Sequence, residues 1–378
     1  MAKLHLFNPD NDLALASGIE NFTAPKAAVA LRRAGAALPL WYGNRGDSLL
    51  AYGVNARWLD TMCQRFGLEV SIFDHNNCDG YEAAPWGWSL AARKDFIREG
   101  FSPEHLPTDE QIAAWRQLSH RRTAAMLREE VAKRLDFEIA PAAVEVNNSN
   151  ELRHILSEKQ ALIIKSPWSS SGRGLLDTRH VSAEETLRRC EGTIQRQGSV
   201  MVENAYDRAA DFAMLFECQD GKCAFVGYSL FNADASGSYT GNKLATDKRL
   251  LEIIGAEYPA ARIVQTAEAM RQAVERLIAP SYDGPLGVDM LVARLDDNST
   301  MLDATVEINL RMTMGFVAHS LSEHFLADGS EGEYSVIPTK NIPAPDNIIV
   351  ESRRMVSGRI DLTPPGGQFR FVVDVHTL

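Results

Sequence analysis

Long apolar runs are missing from this sequence. None approaches the roughly 18 residues that a membrane-spanning helix needs, so no contact with a membrane is expected. A basic surplus is missing too: 39 Lys and Arg stand against 50 Asp and Glu, a net charge of −11 with a pI near 5.4. The clusters RR at 32–33, HRR at 120–122 and RR at 353–354 are short and flanked by helix-like or acidic sequence. A nucleic-acid surface, which needs clustered cations along a phosphate backbone, is therefore not expected. Cysteine is sparse and odd in number, at Cys63, Cys78, Cys190, Cys218 and Cys223, with no C-x-x-C spacing. Free buried thiols in a reducing cytoplasm fit this usage. Cys218 and Cys223 flank QDGK and can face each other across a hairpin, but a metal site there would lack two further ligands. The first residues, MAKLHLFNPDNDLALA, hold one lysine and a five-residue apolar strand without the h-region of a secretory signal, so a cytoplasmic location is expected. No G-x-G-x-x-G follows a strand, which argues against a bound dinucleotide, and the P-loop spacing, with its lysine after the glycines, is also missing. Internal repeats and low-complexity segments are absent as well.

What is present is a chain of 378 residues, 45% apolar, long enough for two or three domains. Its start reads as a strand at 4–7, a polar turn at 8–12 and a helix. A second helix stopped by Gly35, a strand at 38–42 and a third strand in LEVSIFDHN continue a βαβ rhythm. The expected fold class is α/β, with a Rossmann-like parallel sheet at the N-terminus and α+β character beyond it. Residues 108–135 read as one long helix opened by a T-D-E cap. Strand-rich sequence follows, then a helix over 266–279. Two strands, LGVDMLVARL and MLDATVEINL, are joined by the turn DDNS. The tail after about 330 carries Pro338, Pro343, Pro345, Pro364 and Pro365 and ends in a strand, QFRFVVDVH.

Two constellations carry chemistry. In LIIKSPWSSSGRGLL a buried strand ends in Lys165 and runs into Ser169, Ser170, Ser171, Gly172, Arg173 and Gly174. Small residues in succession can turn their N–H groups to one point and form a nest for an anion, and Lys165 would add a full charge there. A plain surface hairpin is the alternative. In VEINLR, alternation places Glu307, Asn309 and Arg311 on one strand face, and the DDNS hairpin can bring Asp289 beside Glu307. Two carboxylates and an amide are hard oxygen ligands suited to Mg²⁺ completed by substrate phosphates. A solvent-facing polar strip with Glu and Arg paired across it is the alternative. The turn at 8–12, with Asn8, Asp10, Asn11 and Asp12, is either a substrate contact at the end of the first strand or an Asx turn and helix cap. Isolated histidines such as His75 and His319 receive no role.

The order of these parts, a strand lysine, a Ser/Gly loop, a VMVEN strand, an Asp strand and an E-I-N-x-R strand, resembles the ATP-grasp superfamily over roughly residues 115–320. The resemblance implies an ATP-grasp fold. It divides the chain into an N-terminal Rossmann-like domain at 1–112 and a small subdomain with the phosphate loop at 113–205. A subdomain with the Mg²⁺ site follows at 206–330, then an extended tail with a terminal strand at 331–378. It implies ATP and Mg²⁺ as cofactors, with Lys165 on the phosphates and residues 169–174 as the loop over them. Glu203 then stands beside the adenine amine, with the backbone of Asn204, Ala205 and Tyr206 along the base. Asp211 falls at the ribose hydroxyls and Lys243 near the γ phosphate. Asp289, Glu307 and Asn309 become the metal ligands, and Arg311 and Lys165 the catalytic cations.

One departure is visible: where many members carry a second ATP lysine, this sequence reads LSHRRTAAML, with His120, Arg121 and Arg122. Either arginine can fork onto phosphate oxygens. The implied activity is ligation: a small-molecule carboxylate is activated as an acyl phosphate for attack by an amine or another nucleophile, releasing ADP and phosphate. The alternatives are a small-molecule kinase and a nucleotide-binding protein without turnover. No motif names the acid, the nucleophile or the oligomeric state. The reading requires Lys165 to lie within about 15 Å, four or five extended residues, of the Glu307 and Asn309 pair.

Overall fold

Alternating apolar residues make Ala2–Leu6 a strand whose buried Leu4 and Leu6 anchor it at the centre of a parallel sheet. Tyr81–Pro85 flanks it on one side; Ser48–Leu49 and then Ser71–Ile72 lie on the other. The parallel N-terminal sheet read from the sequence is thus present. The structure is a computed structural model that describes residues 1–74, 78–158, 161–169, 174–233, 239–339 and 346–378. Ser170, Ser171, Gly172 and Arg173 of the Ser/Gly loop lie outside the described residues, as do His75, Pro343 and Pro345.

Residues 38–42 do not form the expected strand. Leu38–Trp41 is a 3₁₀ turn with all four side chains buried. Pro39 has no N–H to give a ladder, and a short apolar run that is buried all round does not distinguish strand from turn by its period. The long helix expected at 108–135 is two helices, Asp109–Leu118 and Arg121–Ala132. The cap at Thr108 is present as a full capping box with Gln111. The break comes at His120, whose ring nitrogen accepts from the Arg122 amide at 3.0 Å and so caps a second helix start. The helix expected at 266–279 begins earlier, as Ala260–Leu277.

Val144–Val146, Val200–Asn204, Leu162–Lys165 and Leu175–Asp177 form a small antiparallel sheet, covered by the helices Ser149–Glu158 and Ala183–Gln197. A nine-stranded antiparallel sheet holds the rest. Its order is Thr300–Asn309, Gly284–Arg294, Asp207–Gln219, Lys222–Ala233, Tyr239–Leu244, Ser330–Pro338, Phe369–Thr377, Arg354–Asp361 and Ile349–Glu351. Ala260–Leu277 and Arg121–Ala132 pack on it around Phe212, Phe216, Leu286, Val288 and Val292, all fully buried. Each such side chain contributes about 1.5–3 kcal/mol. The Cys218 and Cys223 pair expected across the QDGK hairpin is found in direct cross-strand register, both thiols free and buried.

Thr300–Asn309 is an edge strand, and this placement makes the site. Its hairpin with Gly284–Arg294 turns at Asn298, which takes the left-handed conformation (φ 64°) that Asn tolerates better than most residues. The resulting register sets Asp289 directly opposite Glu307. The next pair is Leu291 with Asp303, so one strand advances two residues while the edge strand advances four. Such a bulge turns successive carbonyls outward, where strand partners are missing. Lys165 donates to the Val306 carbonyl at 3.2 Å and Arg128 to the Thr305 carbonyl at 2.6 Å.

Candidate functional site

The small sheet and the edge strand meet through these carbonyls. Lys165 is buried at the end of its strand and ion-paired with Glu203 on the neighbouring strand. Because its ammonium touches the Val306 carbonyl, it sits one residue from Glu307, far inside the 15 Å required. Ser169 accepts from Arg121 at 3.2 Å, and the Ser166 amide closes the loop base onto the Gly174 carbonyl at 2.9 Å. Gly174 has φ 71°, with the Ser166 hydroxyl where a Cβ would go, so glycine is required there.

The two helix-start arginines face different ways. Arg121 turns into the cleft and bonds Glu307 at 2.9 Å, Ser169 and the Ser166 carbonyl. Arg122 turns away to Glu145, at 3.2 Å, and to the His120 ring. His120 is fully buried, and burial, with Arg122 beside it, depresses its pKa to about 4, leaving a neutral ring that can accept.

Asp289, Glu307 and Asn309 come together. The Asn309 amide donates to Asp289 at 3.3 Å, while Arg311 donates to the Asn309 oxygen at 2.8 Å. Burial, and secondly the Glu307 charge, push the Asp289 carboxyl up to about 7. Two carboxylates and an amide oxygen held side by side are hard donors of the kind Mg²⁺ takes together with phosphate oxygens, and here Arg121 and Arg311 bond Glu307 and Asn309. Among the described residues no group of three or more His, Cys, Asp or Glu could hold a metal unaided.

The polar turn at 8–12 joins this group. Asp12 accepts two bonds from Arg311, at 2.7 and 2.6 Å, a fork that spans 299 residues of sequence. Burial works against the Arg311 charge, but Asp12 outweighs it and keeps the guanidinium protonated. Gly87 lies against this contact: a Cβ there would fall 2.4 Å from the Asn11 amide and 3.0 Å from the Arg311 Cβ. A small pocket of about 20 Å³ lies at the junction, lined by Asp12, Trp168, Ser169, Glu307 and Asn309 among others.

The other expected residues have partners of their own. Lys243 pairs with Glu331 at 2.6 Å on a distant part of the nine-stranded sheet, and Arg249 shares that carboxylate. Asp211 pairs with Arg208 at 2.9 Å and lies in register beside Leu291. Beyond Glu203, the Asn204 amide donates to the Tyr206 hydroxyl at 3.1 Å, and the Ala205 amide is taken by the Ala161 carbonyl at 3.0 Å. Sequence reading missed Arg128 and Asp303, a buried ion pair behind Lys165. Their spacing repeats that of the outer pair, Arg128 seven residues, two helical turns, after Arg121 and Asp303 four residues before Glu307, a pattern visible only once Arg121 and Glu307 are known to meet.

No family model matches the chain, and no curated protein matches it. Among solved structures, the biotin carboxylase from Campylobacter jejuni, a complex with β,γ-ATP, aligns with a TM-score of 0.51 at 12% identity. The match covers 99% of this chain and 87% of that one. The chain has the ATP-grasp fold. Two further matches lie just below that score. N5-carboxyaminoimidazole synthetase from Staphylococcus aureus, complexed with ADP, aligns at 0.49, with 10% identity and coverage of 100% and 93%. Phosphoribosylamine–glycine ligase from Thermotoga maritima aligns at 0.48, with 12% identity and the same coverage. The match to the biotin carboxylase bears out the ATP-grasp architecture and α/β class expected from the motifs. No helix among the described residues is long and apolar enough to cross a membrane.

Proposed function

We propose that the chain is an ATP-dependent ligase that activates a small-molecule carboxylate as an acyl phosphate for attack by an amine, releasing ADP and phosphate. One observation carries this reading: Lys165 and Arg121 from one side, and the Asp289, Glu307, Asn309 and Arg311 group from the other, converge on a single cleft of an ATP-grasp fold. The division of the chain at 112, 205 and 330, and an ATP site rather than another nucleotide site, belong to the same proposal.

The protein's task in such a transfer is to orient reactants and neutralise charge. Lys165 and Arg121 give up Glu203 and Glu307 for the triphosphate oxygens, exchanging one set of charge-assisted bonds for another. A substrate carboxylate oxygen attacks the γ phosphorus as the bond to the β–γ bridging oxygen breaks, and ADP departs with that electron pair. Arg311, oriented by Asp12, faces the charge on the transferred group. The amine then adds to the acyl carbon, loses a proton, and phosphate leaves. Asp289, Glu307 and Asn309 would hold Mg²⁺, which when bound supplies positive charge to the phosphate oxygens. No side-chain nucleophile is required.

An ADP-release screen over carboxylic acids paired with amines tests the reading, with hydroxylamine replacing the amine. An acyl phosphate yields a hydroxamate. A phosphorylated hydroxyl, the product of a kinase, does not. ATP binding with no ADP release for any acid would instead identify a nucleotide-binding protein without turnover.

A further inference from the structure

Arg116, near the end of helix Asp109–Leu118, has no part in the roles above, yet it joins the two sides of the cleft. Its side chain crosses to helix Asn11–Ser17, where Nε donates to the Leu15 carbonyl and Nη2 to the Ala16 carbonyl, both at 2.9 Å. These are two of the carbonyls that the end of a helix leaves without intrahelical partners. The first turn of that helix carries Asp12, which grips Arg311 through two bonds. The Arg116 guanidinium also lies 4.0 Å from the centre of the Trp168 ring, and the Trp168 indole N–H donates back to the Arg116 carbonyl at 2.8 Å. Trp168 stands at the root of the Ser/Gly loop, between Lys165 and Ser169. Its amide donates to Gln197 at 3.1 Å and its ring meets His120 edge to face, so the indole is held from three sides.

Two ties thus run from the loop root across the cleft. The first is Arg121, which bonds Ser169 on one side and Glu307 on the other. Its carboxylate partner is the kind that triphosphate oxygens replace, and in the transfer described above it is given up as the nucleotide enters. The second is Arg116. Its guanidinium is committed to backbone carbonyls and to an aromatic face, with no carboxylate for a phosphate to replace, so nothing in that exchange releases it. We propose that Arg116, with Trp168, is a positioning residue for the transfer: the pair ties the loop root to the helix that carries Asp12, so that seating the triphosphate also sets Arg311. This rests on the nucleotide reading above and adds to it a link between the nucleotide side and the acyl side of the cleft. Alignment of that kind matters, because a displacement of about 1 Å at a reacting group can cost on the order of 10²-fold in rate.

Amide hydrogen exchange read by mass spectrometry tests the link, with MgATP as the probe at a concentration that calorimetry shows to be saturating for each protein. Three proteins are compared: wild type, Trp168→Leu and Arg116→Met. In the wild type, MgATP is expected to slow exchange in the peptide spanning 11–18 roughly three- to tenfold, and in both variants less than about twofold. Trp168→Leu is the decisive variant, because it leaves the Arg116 bonds to Leu15 and Ala16 in place. Exchange at 11–18 without nucleotide should then match the wild type, and a merely structural helix cap would keep the MgATP response. Retention of the wild-type response in Trp168→Leu overturns the inference; should that protein not fold, retention in Arg116→Met does so. A variant that folds but no longer binds MgATP would make the pair part of the nucleotide site rather than a tie, and overturns it as well. Wild-type protein that binds MgATP without slowed exchange at 11–18 overturns the link while leaving the nucleotide reading standing. Wild-type protein that does not bind MgATP overturns the nucleotide reading itself, and this inference with it.

Discussion

One helix, Arg121–Ala132, makes two arginine–carboxylate pairs with one strand, and the two differ in everything but their chemistry. Seven helical residues span about 10.5 Å and four strand residues about 13 Å, so Arg121 reaches Glu307 while Arg128 reaches Asp303. At the outer pair the side chains are 11% and 27% exposed; at the inner pair they are 2% and 4%. Water can compensate the outer charges when they part, so that pair is free to exchange partners. The inner charges have nowhere to go. The same ionic contact thus serves as an exchangeable latch at one end of the cleft and as fixed framework at the other.

Breaking the inner pair should have the largest effect on folding. Asp303→Ala leaves a buried guanidinium with only the Glu203 carboxylate, at 4.0 Å and shared with Lys165, and should cost about 3–5 kcal/mol in a denaturant titration. A loss under 1 kcal/mol would erase the distinction between the two ends. At the outer end the consequences should reverse. Glu307→Gln should change stability by no more than about 1 kcal/mol, yet lower ATP turnover on the order of 10²-fold or more. An unaltered rate would remove Glu307 from the site.

Acidity sharpens the contrast further. The folded Asp289 carboxyl holds its proton to about pH 7, whereas its ordinary value is 3.8. Between those values the folded chain binds more protons than the unfolded one, so this group's contribution to stability declines as pH rises from about 4 to 7 and is level above. Magnesium must displace that proton, so apparent Mg²⁺ affinity should fall about tenfold for each pH unit below 7. A flat affinity between pH 5.5 and 8 would remove Asp289 from the ligand set. The smallest effect is expected at Gly87→Ala. Its methyl group crowds Asn11 and the Arg311 stem, and should slow turnover several-fold while altering the melting temperature by only a few degrees.

Much of the outer end was legible in the sequence, because its signals are local. Alternation in VEINLR aligned Glu307 with Asn309, and the DDNS turn placed Asp289 opposite Glu307. The run from Lys165 into the serines marked the loop. The inner end was not legible, because its pairing depends on how a helix seats on a distant edge strand. Arg128 and Asp303 lie 175 residues apart, and each alone reads as an ordinary helix or strand charge. The fork between Asp12 and Arg311 was hidden for the same reason. Lys243 was read from a motif, and its ion pair with Glu331 on the neighbouring strand was equally out of reach of the sequence.

The claim on which the rest depends is that an acidic strand face and a cationic sheet edge hold a magnesium nucleotide between them. Titrating ATP into wild type and Glu307→Gln, each with and without Mg²⁺, tests it most directly. Tighter ATP binding with Mg²⁺ in the wild type, and loss of that gain in the variant, is the predicted result. ATP affinity in the wild type that is the same with and without Mg²⁺ would contradict it.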